Sequence, residues 1–161
     1  FNDVMKNGIY WGAIFMTGAA TLIGNLLTDK TLGISIWISN VMAPISESLP
    51  SNMIVLFFVA WVIIQTNFSS NIVTTTTVSS IALLVLANNQ NVNVAAICML
   101  IGFGAAICNM TPAGQSTINT VAISSGYTDT KSMFVWGAAF AVGAILILSF
   151  IGYPLLNIIM V

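Results

Sequence analysis

The sequence predicts an all-α integral membrane protein built from transmembrane helices, a re-entrant helical hairpin and a broken helix. Three observations predict it. Hydrophobic residues make up 58% of the 161 positions and charged residues only 4%, whereas soluble domains carry about 25% charge. The mean hydropathy is +1.01. Between Pro50 and Asn109 the apolar runs are short and are separated by clusters of Ser, Thr and Asn, although a straight span needs roughly 20 apolar residues.

The first element expected is a transmembrane helix over 10–28, rich in small residues (Gly12, Gly18, Ala19, Ala20, Gly24) that let helices approach closely in lipid, and closed by Asp29 and Lys30. Residues 31–49 mix Ile34, Trp37 and Met42 with Ser35, Asn40, Pro44 and Glu47. Proline ends or bends a helix and Trp favours the headgroup level, so a partial, interfacial helix is expected there. Residues 53–87 hold two half-length apolar runs, Met53 to Ile64 and Val78 to Ala87, around a polar tip at 66–73. Two half-spans joined by Ser, Thr and Asn describe a re-entrant hairpin, tolerated at membrane depth only where protein or water covers its tip. Residues 94–126 read as a broken transmembrane helix, with Pro112 and Gly114 inside a break at 109–120. A plain span over 132–152 follows, with Gly137 and Gly143 as packing positions, and Pro154 lies beyond it.

The seven charges, Asp3, Lys6, Asp29, Lys30, Glu47, Asp129 and Lys131, sum to a net −1 and sit near expected segment ends. No basic patch is present, which excludes nucleic acid as a partner. Three lysines are too few to set orientation through the positive-inside bias. The chain opens on Phe1, without a basic-then-apolar leader, and reads as part of a longer protein. There is no His, the carboxylates are scattered, and neither Cys98 nor Cys108 has a basic neighbour, so the sequence does not read as an enzyme. Cys/His metal spacings are missing too, and no cofactor is expected. The two cysteines read as small buried thiols rather than a disulfide.

The polar cluster from Thr66 to Ser80 is the feature that asks for a function. An unsatisfied hydroxyl or amide in hydrocarbon costs several kcal/mol, so these groups bond each other, line water or hold a ligand. Thr74, Thr75, Thr76, Ser79 and Ser80 are expected to bond back to carbonyls one turn earlier in their own helix. Thr66, Ser69, Ser70 and Asn71 fall at the turn, where helical bonding fails, and are the ligand candidates. A hard cation such as sodium suits a cage of hydroxyl, amide and carbonyl oxygens, and discontinuous helices at the midplane are the plan of secondary transporters. Asn67-Phe68-Ser69 and Asn109-Met110-Thr111 match the glycosylation pattern but are discounted at membrane depth.

Thr66-Asn67-Phe68-Ser69-Ser70-Asn71-Ile72 resembles the Thr-Glu-Phe-x-Ser-Asn-Thr hairpin tip in the second half of the divalent anion:sodium symporters. Trp11-Gly12 followed by Phe15-Met16-Thr17-Gly18-Ala19-Ala20 resembles that family's Trp-Gly and Leu-Leu-Phe-Gly-Gly-Gly helix. Met110-Thr111-Pro112-Ala113-Gly114, Asn119 and Ser125-Gly126-Tyr127 are similar, in the same order, to its Met-Leu-Pro-Val-(Gly/Ala)-Thr-Pro-Pro-Asn…Ser-Gly-Tyr break.

The resemblance implies the C-terminal repeat of an inverted-repeat, sodium-coupled carrier of a small anion, working by alternating access. The partners it implies are sodium, the anion, an N-terminal repeat and a second copy in a homodimer, in a multi-pass plasma or inner membrane location. Carried over, the sodium ligands are the Thr66 hydroxyl, Ser69 carbonyl, Asn71 side chain and Gly114 carbonyl. Ser70, Asn71, Ile72, Gln115 and Ser116 face the substrate. The sequence departs from the family at Ile72, which lacks the hydroxyl donor of the family's Thr, at Asn67, which replaces an acid, and at Gln115-Ser116-Thr117, which replaces Thr-Pro-Pro. Sodium coordination survives these changes, while a monovalent or differently shaped anion fits as well as a dicarboxylate. A channel or a non-transporting scaffold, with the Ser/Thr/Asn cluster as packing glue, is the alternative; proton coupling has no titratable group in the central region to carry it.

Overall fold

A computed structural model of the chain describes residues 14–15, 18–19, 22, 25–26, 29–87, 89–111 and 117–160, and every regular element among them is helical. The expected span over 10–28 falls mostly outside the described residues, as do Gly114, Gln115 and Ser116. A 3-10 turn at Lys30–Leu32 begins the continuous part, capped by the Asp29 carboxylate, which accepts from the Thr31 hydroxyl at 2.7 Å and the Thr31 amide at 2.8 Å. These two bonds hold the Asp29 carboxyl below its ordinary pKa.

Helix α1, Ile34–Ser48, lies within the expected 31–49 and continues past Pro44. It packs on the helix at Asn71–Leu86, with Ile38 in the core.

Helices α2, Ser51–Thr66, and α3, Asn71–Leu86, are each 16 residues long. At 1.5 Å per residue each spans about 24 Å, short of the ~30 Å hydrocarbon core. They pack on one another and both pack on α4, Val94–Ala105. Ile54, Val55, Phe58, Val59, Val62 and Ile63 recur on α2 at helical spacing, and their burial against Ala96, Ile97, Leu100 and Ile101 of α4 forms the centre of the core. Gly104 makes this contact close: a Cβ there would lie 2.7 Å from Cγ1 of Val62 and 3.3 Å from Cγ1 of Ile63. Asn93 caps α4 by accepting from the Ala96 amide at 3.1 Å.

The chain leaves the helix after Ala105, earlier than the expected break at 109, and helix α5, Thr117–Ser124, resumes before its expected end at 120. The non-helical part of the hairpin is likewise only 67–70, narrower than the expected tip at 66–73. In both places the reason is tertiary hydrogen bonding.

Helix α6, Thr130–Ile147, is capped by Asp129, whose carboxyl is held below its ordinary pKa by bonds from Ser132. The path was expected to stop at 152, but it continues through a π turn at Leu148–Gly152 into α7, Tyr153–Ile159. The Tyr153 amide bonds the Leu148 carbonyl, five residues back. A π turn widens the helix by one residue, and that width accommodates the Pro154 ring, which would otherwise strike the preceding turn. Thr130–Ile159 is then 30 residues long and apolar enough to cross a membrane, with Phe134, Trp136, Phe140, Ile147 and Phe150 turned outward. Tyr153 is buried, and its hydroxyl accepts from the Asn93 amide at 3.0 Å, tying this helix to the start of α4.

Ser149, inside the π turn, is 3% exposed and its hydroxyl has no hydrogen-bond partner among the described residues. Stranding a buried hydroxyl costs ~1–3 kcal/mol, so Ser149→Ala is expected to leave the melting temperature of the purified protein unchanged or to raise it. A clear fall would mean that Ser149 has a partner beyond these residues.

A candidate ion site at two helix breaks

Helix α2 ends because its last amides turn inward on themselves: the Asn67 amide bonds Ile64 at 3.3 Å and the Phe68 amide bonds Gln65 at 3.0 Å. Ser70 is extended, φ −64° and ψ 136°, and caps α3, its carbonyl accepting from the Thr74 amide at 2.8 Å. At the tip Phe68 is 62% exposed while its neighbour Asn67 is 0% exposed. The turn therefore drives one polar side chain into the protein and one apolar side chain out.

Asn67 is where the two breaks meet. Its side-chain nitrogen donates to the Ile63 carbonyl at 2.7 Å and the Ile107 carbonyl at 3.0 Å. Its side-chain oxygen accepts from the Met110 amide at 2.7 Å. Its own carbonyl accepts from the Thr111 hydroxyl. Farther along, Asn119 donates to the carbonyls of Cys108, at 2.8 Å, and Thr111, at 3.0 Å. These bonds replace the helical ones after Ala105, which is why α4 stops in a stretch, Ala106-Ile107-Cys108, that carries no Gly or Pro. Gly137 of α6 completes the wall: a Cβ there would lie 2.8 Å from the Met110 Cα and 2.9 Å from the Asn109 carbonyl carbon, so the unwound backbone rests directly on the α6 backbone.

Thr66 and Asn71, the last residue of α2 and the first of α3, face each other across the turn. The Thr66 hydroxyl lies 2.8 Å from the Asn71 side-chain oxygen and 2.7 Å from the Ala105 carbonyl oxygen. The three oxygens thus lie together in a place where Thr66 is 0% exposed. The Asn71 side-chain nitrogen points the other way, 3.8 Å from the sulfur of Cys108. Cys98 and Cys108 are both free thiols, as expected.

Of the expected site residues, the structure brings Thr66 and Asn71 into contact and places Ser69 and Ser70, both half-buried, in the turn between them. Ile72 lies one residue farther along α3 and, with Asn71, lines a cavity of about 320 Å³. The Ala105 carbonyl and the Asn67 bonding hub were missed. The replacement of an acid by Asn67 was the available signal for the second; nothing local marks the first. Of the expected back-bonding hydroxyls, Thr76 bonds the Ile72 carbonyl at 2.8 Å, whereas Thr74 is buried with its hydroxyl unpartnered among the described residues. No charged residue occurs between Glu47 and Asp129, so this polar centre is neutral. Among the described residues no group of His, Cys, Asp and Glu could hold a metal ion of the kind those ligands select.

The described residues thus form an apolar, helical protein with interior oxygens gathered at two interruptions of the backbone. A family model described as the sodium:sulfate symporter transmembrane region matches residues 1–161, and the chain belongs to that family. Its work is therefore membrane transport, not catalysis. No curated protein shows significant similarity to the chain.

Proposed function

We propose that this chain is one repeat of a sodium-coupled carrier of a small anion, working by alternating access. The observation that carries the reading is the oxygen cluster: the Thr66 hydroxyl, the Asn71 side-chain oxygen and the Ala105 carbonyl converge in a neutral setting where Thr66 is fully buried. Sodium, a hard cation, takes such neutral oxygen ligands.

In this reading the Thr66 hydroxyl, Ser69 carbonyl, Asn71 side chain and Gly114 carbonyl hold sodium, and Ser70, Asn71, Ile72, Gln115 and Ser116 face the anion. The ion offsets the anion's charge, which this chain's uncharged centre does not offset with any Arg or His. Two 16-residue helices joined by a short turn support a re-entrant pair whose tip stops inside the bilayer. An N-terminal repeat of opposite orientation, a dimeric assembly and a multi-pass plasma or inner membrane location belong to the same proposal. Sulfate, named in the family's description, is the first anion to test, ahead of dicarboxylates, because Ile72 removes a donor from their site.

The test is uptake by the full-length protein in proteoliposomes. Replacing sodium with choline or potassium is expected to abolish accumulation. Thr66→Val keeps shape but deletes the shared oxygen, and is expected to raise half-saturating sodium about ten-fold, equivalent to ~1.4 kcal/mol. Sodium-independent uptake, or a Thr66→Val protein with unchanged sodium dependence, would refute the reading.

A further inference from the structure

Asn119 joins the two helix breaks to a third element, α5. It is buried, and its one side-chain nitrogen donates to the carbonyls of Cys108, at 2.8 Å, and Thr111, at 3.0 Å. A primary amide nitrogen carries two protons, so a single side chain holds both ends of the stretch 108–111. Each held residue in turn reaches the hairpin. The Cys108 sulfur lies 3.8 Å from the Asn71 side-chain nitrogen, and the Thr111 hydroxyl donates to the Asn67 carbonyl. We propose that Asn119 is a positioning residue of the sodium site, setting from α5 how the turn that carries Thr66 and Asn71 lies against the unwound strand after Ala105. The inference rests on the sodium-site reading above and adds to it a residue from a third helix.

The strand is held from two sides by two amides. From the hairpin, Asn67 bonds the Ile107 carbonyl and the Met110 amide; from α5, Asn119 bonds the Cys108 and Thr111 carbonyls. Removing the second set leaves the strand tethered on one side only. The Asn119 amide is also fixed in orientation, because turning it over would set its oxygen against two carbonyl oxygens and replace two hydrogen bonds with repulsions. Helix α5 itself buries this polar side chain while exposing Val121, so hydrogen bonding rather than apolar packing fixes its register on the strand. The oxygens of the ion site lie on both sides of the seam so held: Thr66 and Asn71 belong to the hairpin, and the Ala105 carbonyl to the end of α4, where the strand begins. A binding site keeps its affinity only while supporting bonds hold its ligands within about 0.5 Å of the productive geometry.

The test is equilibrium binding of radiolabelled sodium to the purified full-length protein, with melting temperature measured beside it. Asn119→Leu keeps the bulk of the side chain and gives up both donors. Tyr153→Phe is the comparison: it strands a buried main-chain group too, the Asn93 amide, but at the opposite end of α4. Both variants are expected to melt below the unsubstituted protein. Asn119→Leu alone is expected to raise half-saturating sodium, by about ten-fold, the worth of one hydrogen bond. If Asn119→Leu protein fails to fold, Thr111→Val removes the hydroxyl that bonds the Asn67 carbonyl with little change of shape, and the same direction of change is expected. Unchanged or lowered half-saturating sodium in the folded variant would overturn the proposal, leaving Asn119 a bond of stability alone. So would an equal rise in Tyr153→Phe, which would trace the effect to general loosening. Absence of sodium binding by the unsubstituted protein would instead remove the sodium-site reading itself.

Discussion

Asn67→Ala is expected to abolish uptake and to lower the melting temperature of the purified protein by on the order of 10 °C. The substitution strands the Ile63 and Ile107 carbonyls and the Met110 amide at once. Each buried group left unpaired costs ~1–3 kcal/mol, so the loss is roughly 3 kcal/mol or more. Asn67→Asp separates the role of the amide from that of mere bulk. A carboxylate of nearly the same shape still accepts from the Met110 amide, yet it has no N–H to give the two carbonyls and sets negative charge against them. It is therefore expected to be as damaging as alanine, even though it restores acidity to a position where the related symporters carry Glu. An Asn67→Asp protein that transports normally would show that the hub is not what joins the turn to the break.

Gly137→Ala is expected to cut uptake at least ten-fold while leaving the helical content intact. Alanine is the better helix former by up to ~1 kcal/mol, but here its methyl group would press on main-chain atoms of Asn109 and Met110, which cannot rotate away as a side chain can. Overpacking of this kind costs ~1–3 kcal/mol, and the segment free to yield is the unwound one, whose Met110 amide is anchored to Asn67. Its displacement would disturb the Asn67 bonds that join the turn to the break. Gly143→Ala, on the same helix, is the control: a Cβ there meets nothing within 4 Å, so the substitution is expected to be neutral or slightly stabilising. Equal behaviour of the two variants, measured by uptake and circular dichroism, would show that α6 does not support the break.

The outline of this protein was legible because hydrophobic run length and punctuation are local signals. Met53 to Ile64 and Val78 to Ala87 are visibly too short for spans, and the polar residues between them coincide with the turn at 67–70. Thr66 and Asn71 stood out as oxygens that an apolar setting must employ, and they do meet. The continuation past Pro154 was not legible, because a helix widened by a π turn tolerates a residue that would stop a regular one.

The sequence by itself determined a membrane-embedded helical chain, a neutral polar centre without catalytic groups, and the turn that brings Thr66 to Asn71. Only the tertiary structure decided where α4 lets go, that the Ala105 carbonyl joins the oxygen cluster, that Asn67 ties turn to break, and that Gly137 lets α6 lie against the unwound strand. The difference is physical. Polarity and run length act between residues close along the chain, whereas a carbonyl is released from a helix only when a donor some 40 positions away competes for it, and no local pattern announces that competitor.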